Sequence, residues 1–275
     1  MPELTVLSPD GVALAGEEAG EGTPVVLLHG LTASRRYVVH GSRALERGGH
    51  RVVAYDARGH GASASAPHTE AYGYALLAGD LEAVLDDRGL DRAVLAGASM
   101  GAHTIVRFAL DHPGRVAGMV LITPAHVPGE DDRADRLEIW DRLAHGLREG
   151  GVEGFLAASD FSTMSQKWRK TVTRVIRQRM EHHDDLGAVA DAVASVSRSR
   201  PFAALEDLAR LEQPAVVVGS RDAPDPKHPL STARTYVEML RRGRLVVEDE
   251  GSSPLAWQGG QLSRVIAELA AEAMR

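Results

Sequence analysis

Cysteine is absent from all 275 positions of the chain, so disulfide bonds and thiolate metal sites are excluded. Aromatic residues make up only 4% of the sequence, and the longest apolar runs, such as VVLL and MVLI, are far shorter than the ~20 residues of a membrane-spanning helix. The first residues, MPELTVLSPDG, show neither the basic nor the apolar region of a signal peptide. We therefore expect a soluble, cytoplasmic protein without a membrane, metal or cofactor partner.

An excess of positive charge is also lacking. The formal net charge is −7, and no basic stripe follows any segment of the chain, which argues against a nucleic-acid surface. Hydrophobic residues form 44% of the sequence and charged residues 25%, as in an ordinary globular protein. A small molecule is then the expected partner, and the oligomeric state is left open.

Short apolar runs alternate with helical segments along most of the chain. The apolar runs include PVVLLHG (24–30), HRVVAYDARGHG (50–61), DRAVLAG (91–97) and VAGMVLITPA (116–125). Helices are predicted near 34–47, 72–87 and 100–110, and two further strands joined by a Pro-Asp-Gly turn open the chain. This alternation predicts an α/β fold with a mostly parallel sheet covered by helices on both faces.

The alternation is interrupted from residue 126 to residue 212. This block is polar, rich in Arg, Asp and Glu, and has helical periodicity, and the strand pattern resumes after it with QPAVVVGSRD. We expect a core formed by residues 1–125 and 213–275, with residues 126–212 inserted as a helical cap.

The segment GASMG (97–101) fits the pattern Gly-x-Ser-x-Gly between a buried strand and a helix. In this setting a tight, strained turn lifts a serine hydroxyl above the sheet, where it can act as a nucleophile. The glycines are needed because the turn is crowded. Ser99 is therefore the predicted catalytic nucleophile, against the alternative of an ordinary strand-to-helix turn.

Together with GASMG, three further segments resemble the α/β-hydrolase fold family. LLHGLTAS is similar to its oxyanion loop, YDARGHGAS to a scaffold loop beside the site, and VVVGSRD to the strand that ends in the acid of the catalytic triad. The resemblance implies an oxyanion hole formed by the backbone N–H groups of Leu31 and Met100, and it implies Asp222 as the acid. The cap would shape the substrate pocket.

The chain departs from the family where the catalytic histidine is expected. After the strand RLVVEDE and Gly251 comes Ser252, and no histidine follows His228. A serine hydroxyl cannot replace the imidazole, because its pKa is far from the range of a general base. A working hydrolase must therefore take its base from another position, or the protein does not use a full triad.

His228 is the best candidate for that base. It lies six residues after Asp222, and Pro224 and Pro226 make the intervening segment a compact turn. An Asp222–His228 pair could then direct an imidazole toward Ser99. The alternative is that His228 packs at the entrance of a helix beside Pro229.

Three other segments have weaker indications. His126 follows a strand and is expected over the pocket mouth, in contact with substrate or solvent, and Trp257 either lines the pocket or packs in the core. The run EHHDD (181–185) suggests a metal site, but adjacent helical residues do not share a face, so a solvated cap surface is the prediction.

Two functions are compatible with these residues. The first is a serine hydrolase of a small carboxylic ester, thioester or lactone that uses Ser99 and a relocated base. The second is a lyase, a cyclising enzyme or a ligand-binding protein of the same fold that lacks a full triad. Replacement of a native histidine by Ser252 in this chain is a third explanation, which the sequence leaves open.

Overall fold

The computed structural model describes residues 2–131, 133–162, 164–221, 227–249 and 257–273. Its centre is one eight-stranded sheet with the strand order β1-β2-β4-β3-β5-β6-β7-β8. The strands are β1 (Glu3–Leu7), β2 (Ala13–Ala19), β3 (Thr23–Leu28), β4 (His50–Tyr55), β5 (Ala93–Ala98), β6 (Val116–Ile122), β7 (Ala215–Gly219) and β8 (Gly243–Val247).

Six of the eight strands, β3 to β8, form a continuous parallel set. Among the strands of the described residues, only the pairs β1–β2 and β2–β4 are antiparallel, and every pair from β4 through β8 is parallel. Parallel strands need crossover connections, and the helices that supply them cover both faces of the sheet. The prediction of an α/β fold with a mostly parallel sheet is confirmed.

In the described part of the chain, eight α-helices surround the sheet or lie beyond its edge. They are α1 (Ala44–Arg47), α2 (Tyr74–Asp87), α3 (Met100–Asp111), α4 (Ala134–Ala158), α5 (Gln166–Met180), α6 (Leu186–Val196), α7 (Leu230–Met239) and α8 (Gly259–Ala273). Side chains of α2, α3 and α7 form one apolar layer with the sheet, and α8 with Leu45 of α1 forms the layer on the opposite face. The central strands β5 and β6 are buried along almost their whole length, as their continuous apolar sequences predict.

The helix predicted over residues 34–47 is largely wrong. The structure has a 3-10 turn at Arg35–Tyr37 and a single helical turn at α1. Between them His40 and Gly41 both have left-handed backbone angles, with φ of 47° and 72°. Two consecutive residues in this conformation cannot continue a right-handed helix, so the segment is split.

Helices α4, α5 and α6 all lie between β6 and β7 in the chain. They share an apolar cluster that includes Leu143, Phe155, Met180 and Val189. We call these three helices and the residues that link them the cap. The predicted boundaries of an inserted cap at 126 and 212 stay a prediction. None of the helices in the described residues is long and apolar enough to span a membrane.

Candidate active site

Ser99 occupies the sharp turn between β5 and α3. Its backbone has φ 48° and ψ −108°, a conformation that residues other than glycine rarely adopt. The turn is held because the Ser99 N–H donates to the carbonyl oxygen of Ile122 at 2.9 Å and the Ser99 carbonyl accepts from the N–H of His103 at 3.0 Å. Backbone strain held by its surroundings in this way is typical of functional sites.

The two glycines of GASMG are required by close approach rather than by flexibility. A Cβ atom on Gly97 would lie 2.5 Å from the carbonyl carbon of Gly101, and one on Gly101 would overlap the carbonyl oxygen of Leu28. Neither obstacle is the movable end of a side chain. The absence of a side chain at Gly97 therefore lets the turn close tightly on α3, and its absence at Gly101 lets α3 approach β3.

The side chain of His228 contacts that of Ser99. Its Nε2 atom lies 2.8 Å from the Oγ atom of Ser99, a hydrogen-bond distance, and both residues are partly buried. An imidazole that carries its proton on Nδ1 can accept a hydrogen bond from the Ser99 hydroxyl across this contact, which is the geometry required of a nucleophile and its general base. The sequence predicts His228 as the candidate base, and the structure places it beside Ser99.

The position of His228 is set by the elements on either side of it. Two residues later α7 begins after Pro229, and α7 packs on the sheet through buried side chains such as Ala233 and Tyr236. On the other side, the ammonium of Lys227 lies 4.6 Å from the ring centre of Trp140 on α4, a cation–π contact. The histidine is thus held between the core and the cap.

Asp222, the predicted acid, and Ser252, at the position where the family's histidine is expected, lie outside the described residues. Nearby Glu248, which follows β8 and is 8% exposed, is not among the residues that the sequence predicts for the site. Its carboxylate accepts hydrogen bonds from the Ser220 hydroxyl at 2.9 Å and from the Arg221 N–H. Glu248 therefore fixes the point at which the chain leaves β7, the strand that leads toward Asp222. Glu248 lies in the charged run EDE, which suggests a solvent-exposed segment, so the sequence does not indicate this role.

Leu31 and Met100, the predicted oxyanion donors, lie on either side of the elbow. Met100 is the first residue of α3, so its N–H has no partner within the helix and sits at the helix's positive end. Leu31 follows Gly30, at which a Cβ would lie 3.5 Å from the Cβ of Ser99. The loop that carries Leu31 therefore passes directly beside the serine.

Buried histidines hold the loop of Leu31, the predicted oxyanion loop. His29 Nδ1 lies 2.8 Å from the carbonyl of Gly30, and its Nε2 accepts from the N–H of Ala57 at 2.9 Å. His60 Nε2 accepts from the N–H of Thr32 at 3.4 Å. Burial lowers the pKa of His29 to about 4 and lowers that of His60 well below its usual value. Both rings are therefore neutral at pH 7 and tie the loop to the segment that follows β4.

His126 is more enclosed than the sequence suggested. It is 6% exposed, its Nδ1 lies 2.7 Å from a carboxylate oxygen of Asp131, and its Nε2 lies 3.4 Å from the carbonyl of Phe202. Its backbone N–H donates to Nε2 of His103, a buried ring that also binds Tyr74. Contact between His126 and a substrate stays a prediction.

Trp257 joins the end of β7 to the α8 side of the sheet. Its indole N–H donates to the carbonyl of Gly219 at 2.9 Å, and its ring packs on the apolar cluster that includes Val218 and Leu262. This accords with core packing, the simpler of the two roles that the sequence allows. A direct contact of Trp257 with a substrate stays a prediction.

The fold and the site define a family. Residues 23–222 match the family model described as the alpha/beta hydrolase fold, which is more than half of the chain. The protein therefore belongs to the α/β-hydrolase fold family.

Individual relatives resemble parts of the chain. An epoxide hydrolase A from Mycobacterium tuberculosis is 37% identical over 129 residues, 46% of this chain and 40% of its own length. A non-heme chloroperoxidase from Kitasatospora aureofaciens is 30% identical over 162 residues, 54% of this chain and 58% of its own length. In three of these relatives, the segment that matches this chain covers between 29% and 44% of the relative's own length.

Solved structures extend the resemblance over the whole chain at the level of the fold. A thermophilic esterase from Thermogutta terrifontis superposes with a TM-score of 0.80, covers 100% of both chains and is 24% identical. An esterase from Exiguobacterium antarcticum superposes with a TM-score of 0.78 over 100% of both chains at 19% identity. Identities this low show a shared fold and leave the substrate open.

Proposed function

We propose that the protein is a serine hydrolase of a small carboxylic ester, thioester or lactone, with Ser99 as nucleophile and His228 as general base. The observation that carries the proposal is the 2.8 Å contact between His228 Nε2 and Ser99 Oγ. It supplies the titratable group that the C-terminal segment, with Ser252, does not. The epoxide hydrolase and peroxidase names among the relatives accord with a hydrolase-type scaffold.

In the first half-reaction Ser99 Oγ attacks the carbonyl carbon while its proton passes to Nε2 of His228. The carbonyl oxygen becomes an oxyanion, which the N–H groups of Leu31 and Met100 stabilise. Collapse of this intermediate breaks the bond to the alcohol or thiol, which leaves with the proton from His228. A lactone follows the same steps, except that the alcohol stays attached to the acyl group.

In the second half-reaction water attacks the acyl-enzyme. His228 accepts a proton from the water and returns it to Ser99 Oγ as the acid departs. Asp222 is the proposed acid that orients His228 through Nδ1, and its place at the end of β7 is inferred from the sequence alone. The alternative of a non-hydrolytic protein is less well supported, because it gives no reason for the histidine to contact the strained serine.

A panel of chromogenic substrates tests the proposal. Wild-type protein and Ser99→Ala are assayed with p-nitrophenyl acetate, butyrate and octanoate, with an acyl thioester and with γ- and δ-lactones. We expect hydrolysis of at least one class, with a burst of p-nitrophenol equal to the enzyme concentration if deacylation is slow. Ser99→Ala should lose on the order of 10⁶-fold in kcat. Wild-type rates no higher than those of folded Ser99→Ala across the panel would refute the proposal.

A further inference from the structure

His183 of the cap is buried although its neighbours in EHHDD are exposed. It is 9% exposed and lies between α5 and α6, whereas His182, beside it in the chain, faces solvent and contacts the ring of Tyr37. The prediction of a solvated surface for this run is therefore wrong at His183. Its burial arises from contacts with residues more than 120 positions away, which the local sequence does not reveal.

Both ring nitrogens of His183 bind backbone groups of the core. Nδ1 accepts from the N–H of Gly61 at 2.8 Å, and Nε2 lies 3.1 Å from the carbonyl oxygen of Thr32. A backbone N–H can only donate and a carbonyl can only accept, so the two contacts together require the neutral ring with its proton on Nε2. The ring thus bridges two core loops from the cap side.

The first of those loops, around Gly61, is closely packed and hydrogen-bonded. Gly61 has φ 53°, and a Cβ there would overlap the carboxylate of Asp56. Its carbonyl accepts from the N–H of Asp184 at 2.9 Å, beside the bond that its N–H makes to His183. At this point the cap is therefore joined to the core by a pair of adjacent hydrogen bonds to a single glycine.

The second loop carries the proposed oxyanion donor. Thr32 has φ 63°, an unfavourable angle for a side chain branched at Cβ, so its conformation depends on its contacts. Within the described residues, its N–H donates to Nε2 of His60 and its carbonyl accepts from His183. Loss of the hydrogen bond from His183 to the Thr32 carbonyl removes the contact by which the cap stabilises this strained residue.

Leu31, the residue before Thr32, has contacts on both of its sides. The carbonyl of Gly30 accepts from the N–H of Ala33 at 3.0 Å and lies 2.8 Å from Nδ1 of His29. Because a trans peptide is planar, the direction of this carbonyl also sets the direction of the N–H of Leu31. The side chain of Leu31 packs against the apolar cluster of the cap. Leu31 is thus fixed from both the core and the cap.

We propose that His183 is a positioning residue that couples docking of the cap to the oxyanion hole, so that the N–H of Leu31 is aligned on the substrate carbonyl when the cap is seated. This inference rests on the proposed function. It assigns to the cap a part in transition-state stabilisation in addition to any part in shaping the pocket. Loss of an interaction that acts on the oxyanion lowers kcat, whereas loss of an interaction that only binds the substrate raises KM.

Four variants test the coupling by steady-state kinetics with the best p-nitrophenyl ester of the panel. His183→Phe keeps the ring volume and removes both bonds, and it should lower kcat on the order of 10- to 100-fold with KM changed less than about 3-fold. His183→Gln can still donate to Thr32 and should recover part of kcat. His183→Asn can accept from Gly61 but does not reach Thr32, so it should recover less. His182→Phe is the matched control and should match wild type.

Amide hydrogen exchange read by NMR gives an independent result on the same proteins. The Gly61 and Thr32 amides should exchange faster in His183→Phe than in wild type and in His182→Phe. Unchanged kcat in His183→Phe, or a change confined to KM, overturns the proposal. Equal kcat in the Gln and Asn variants also overturns it, and this comparison holds if the Phe variant does not fold. If wild-type protein is inactive on every substrate of the panel, the proposed function fails. Amide exchange still tests His183 in that case, and unchanged exchange at Gly61 in His183→Phe refutes the coupling.

Discussion

The Nε2 atom of His228 lies 2.8 Å from the Oγ atom of Ser99, although 129 positions separate the two residues in the chain. The serine is fixed at the end of β5 and the histidine just before α7, so the contact depends on the parallel sheet that places β5, β6 and β7 side by side. In parallel α/β sheets the carboxyl ends of the strands form the ligand-binding edge. A histidine just before α7 therefore reaches this edge, in the same way as a histidine in the loop after β8 would.

Acid should destabilise the protein before its carboxylates titrate. Burial lowers the pKa of His29 to about 4 and of His103 to about 3, while unfolded histidines titrate near 6.5. Below pH 6.5 the unfolded chain therefore binds protons that the folded chain does not, and stability falls as the pH falls. His29 alone accounts for a loss of about 3 kcal/mol by pH 4.

Urea unfolding at pH 7.5, 6.5, 5.5 and 4.5 measures this dependence. We expect the midpoint to fall steadily below pH 6.5, and His103→Gln, which cannot take up a proton, to show a shallower fall than wild type. The comparison uses slopes, so the lower stability expected of the variant at pH 7.5 does not disturb it. A wild-type midpoint that is constant from pH 7.5 to 4.5 would contradict the assignment of neutral buried histidines.

Gly101→Ala should damage the elbow severely. The added Cβ would overlap the carbonyl oxygen of Leu28, and relief requires that α3 move away from β3. We expect the free energy of unfolding to fall by about 3 kcal/mol. Gly79→Ala, in the interior of α2 with no atom within 4 Å of the new Cβ, is the control, and it should raise stability by up to about 1 kcal/mol. Equal effects in urea titrations of the two variants would contradict the crowding at the elbow.

Ser99 should carry measurable backbone strain. Ser99→Ala and Ser99→Gly both remove the hydroxyl and its contact with His228, but only glycine adopts φ 48°, ψ −108° without steric cost. We expect the glycine variant to be more stable than the alanine variant by about 1 kcal/mol, after the entropy cost of glycine in the unfolded chain. Thermal unfolding of the pair gives the difference directly. An alanine variant of higher stability would show that the turn is relaxed.

Much of the fold and part of the site could be predicted from the sequence because the signals are local. A buried strand, two crowded glycines and a helix start identify Ser99 within a dozen residues, and the proline-rich turn after Asp222 limits where His228 can lie. The break at His40 and Gly41 was missed, since apolar periodicity does not report a left-handed pair. His183 and Glu248 were missed for another reason. Their polar neighbours suggest solvent, and only the folded chain brings Gly61, Thr32 and Ser220 to them.

The most direct test of the account is the rate at which a fluorophosphonate probe labels the protein at neutral pH, read by intact mass. The probe reports an activated serine and needs no knowledge of the natural substrate. Wild type and the surface control His68→Gln should each gain one adduct at similar rates, and Ser99→Ala should gain none. His228→Gln should label more slowly by on the order of 10³-fold or more. Labelling of folded His228→Gln at the wild-type rate would show that another group activates Ser99 and would contradict the account.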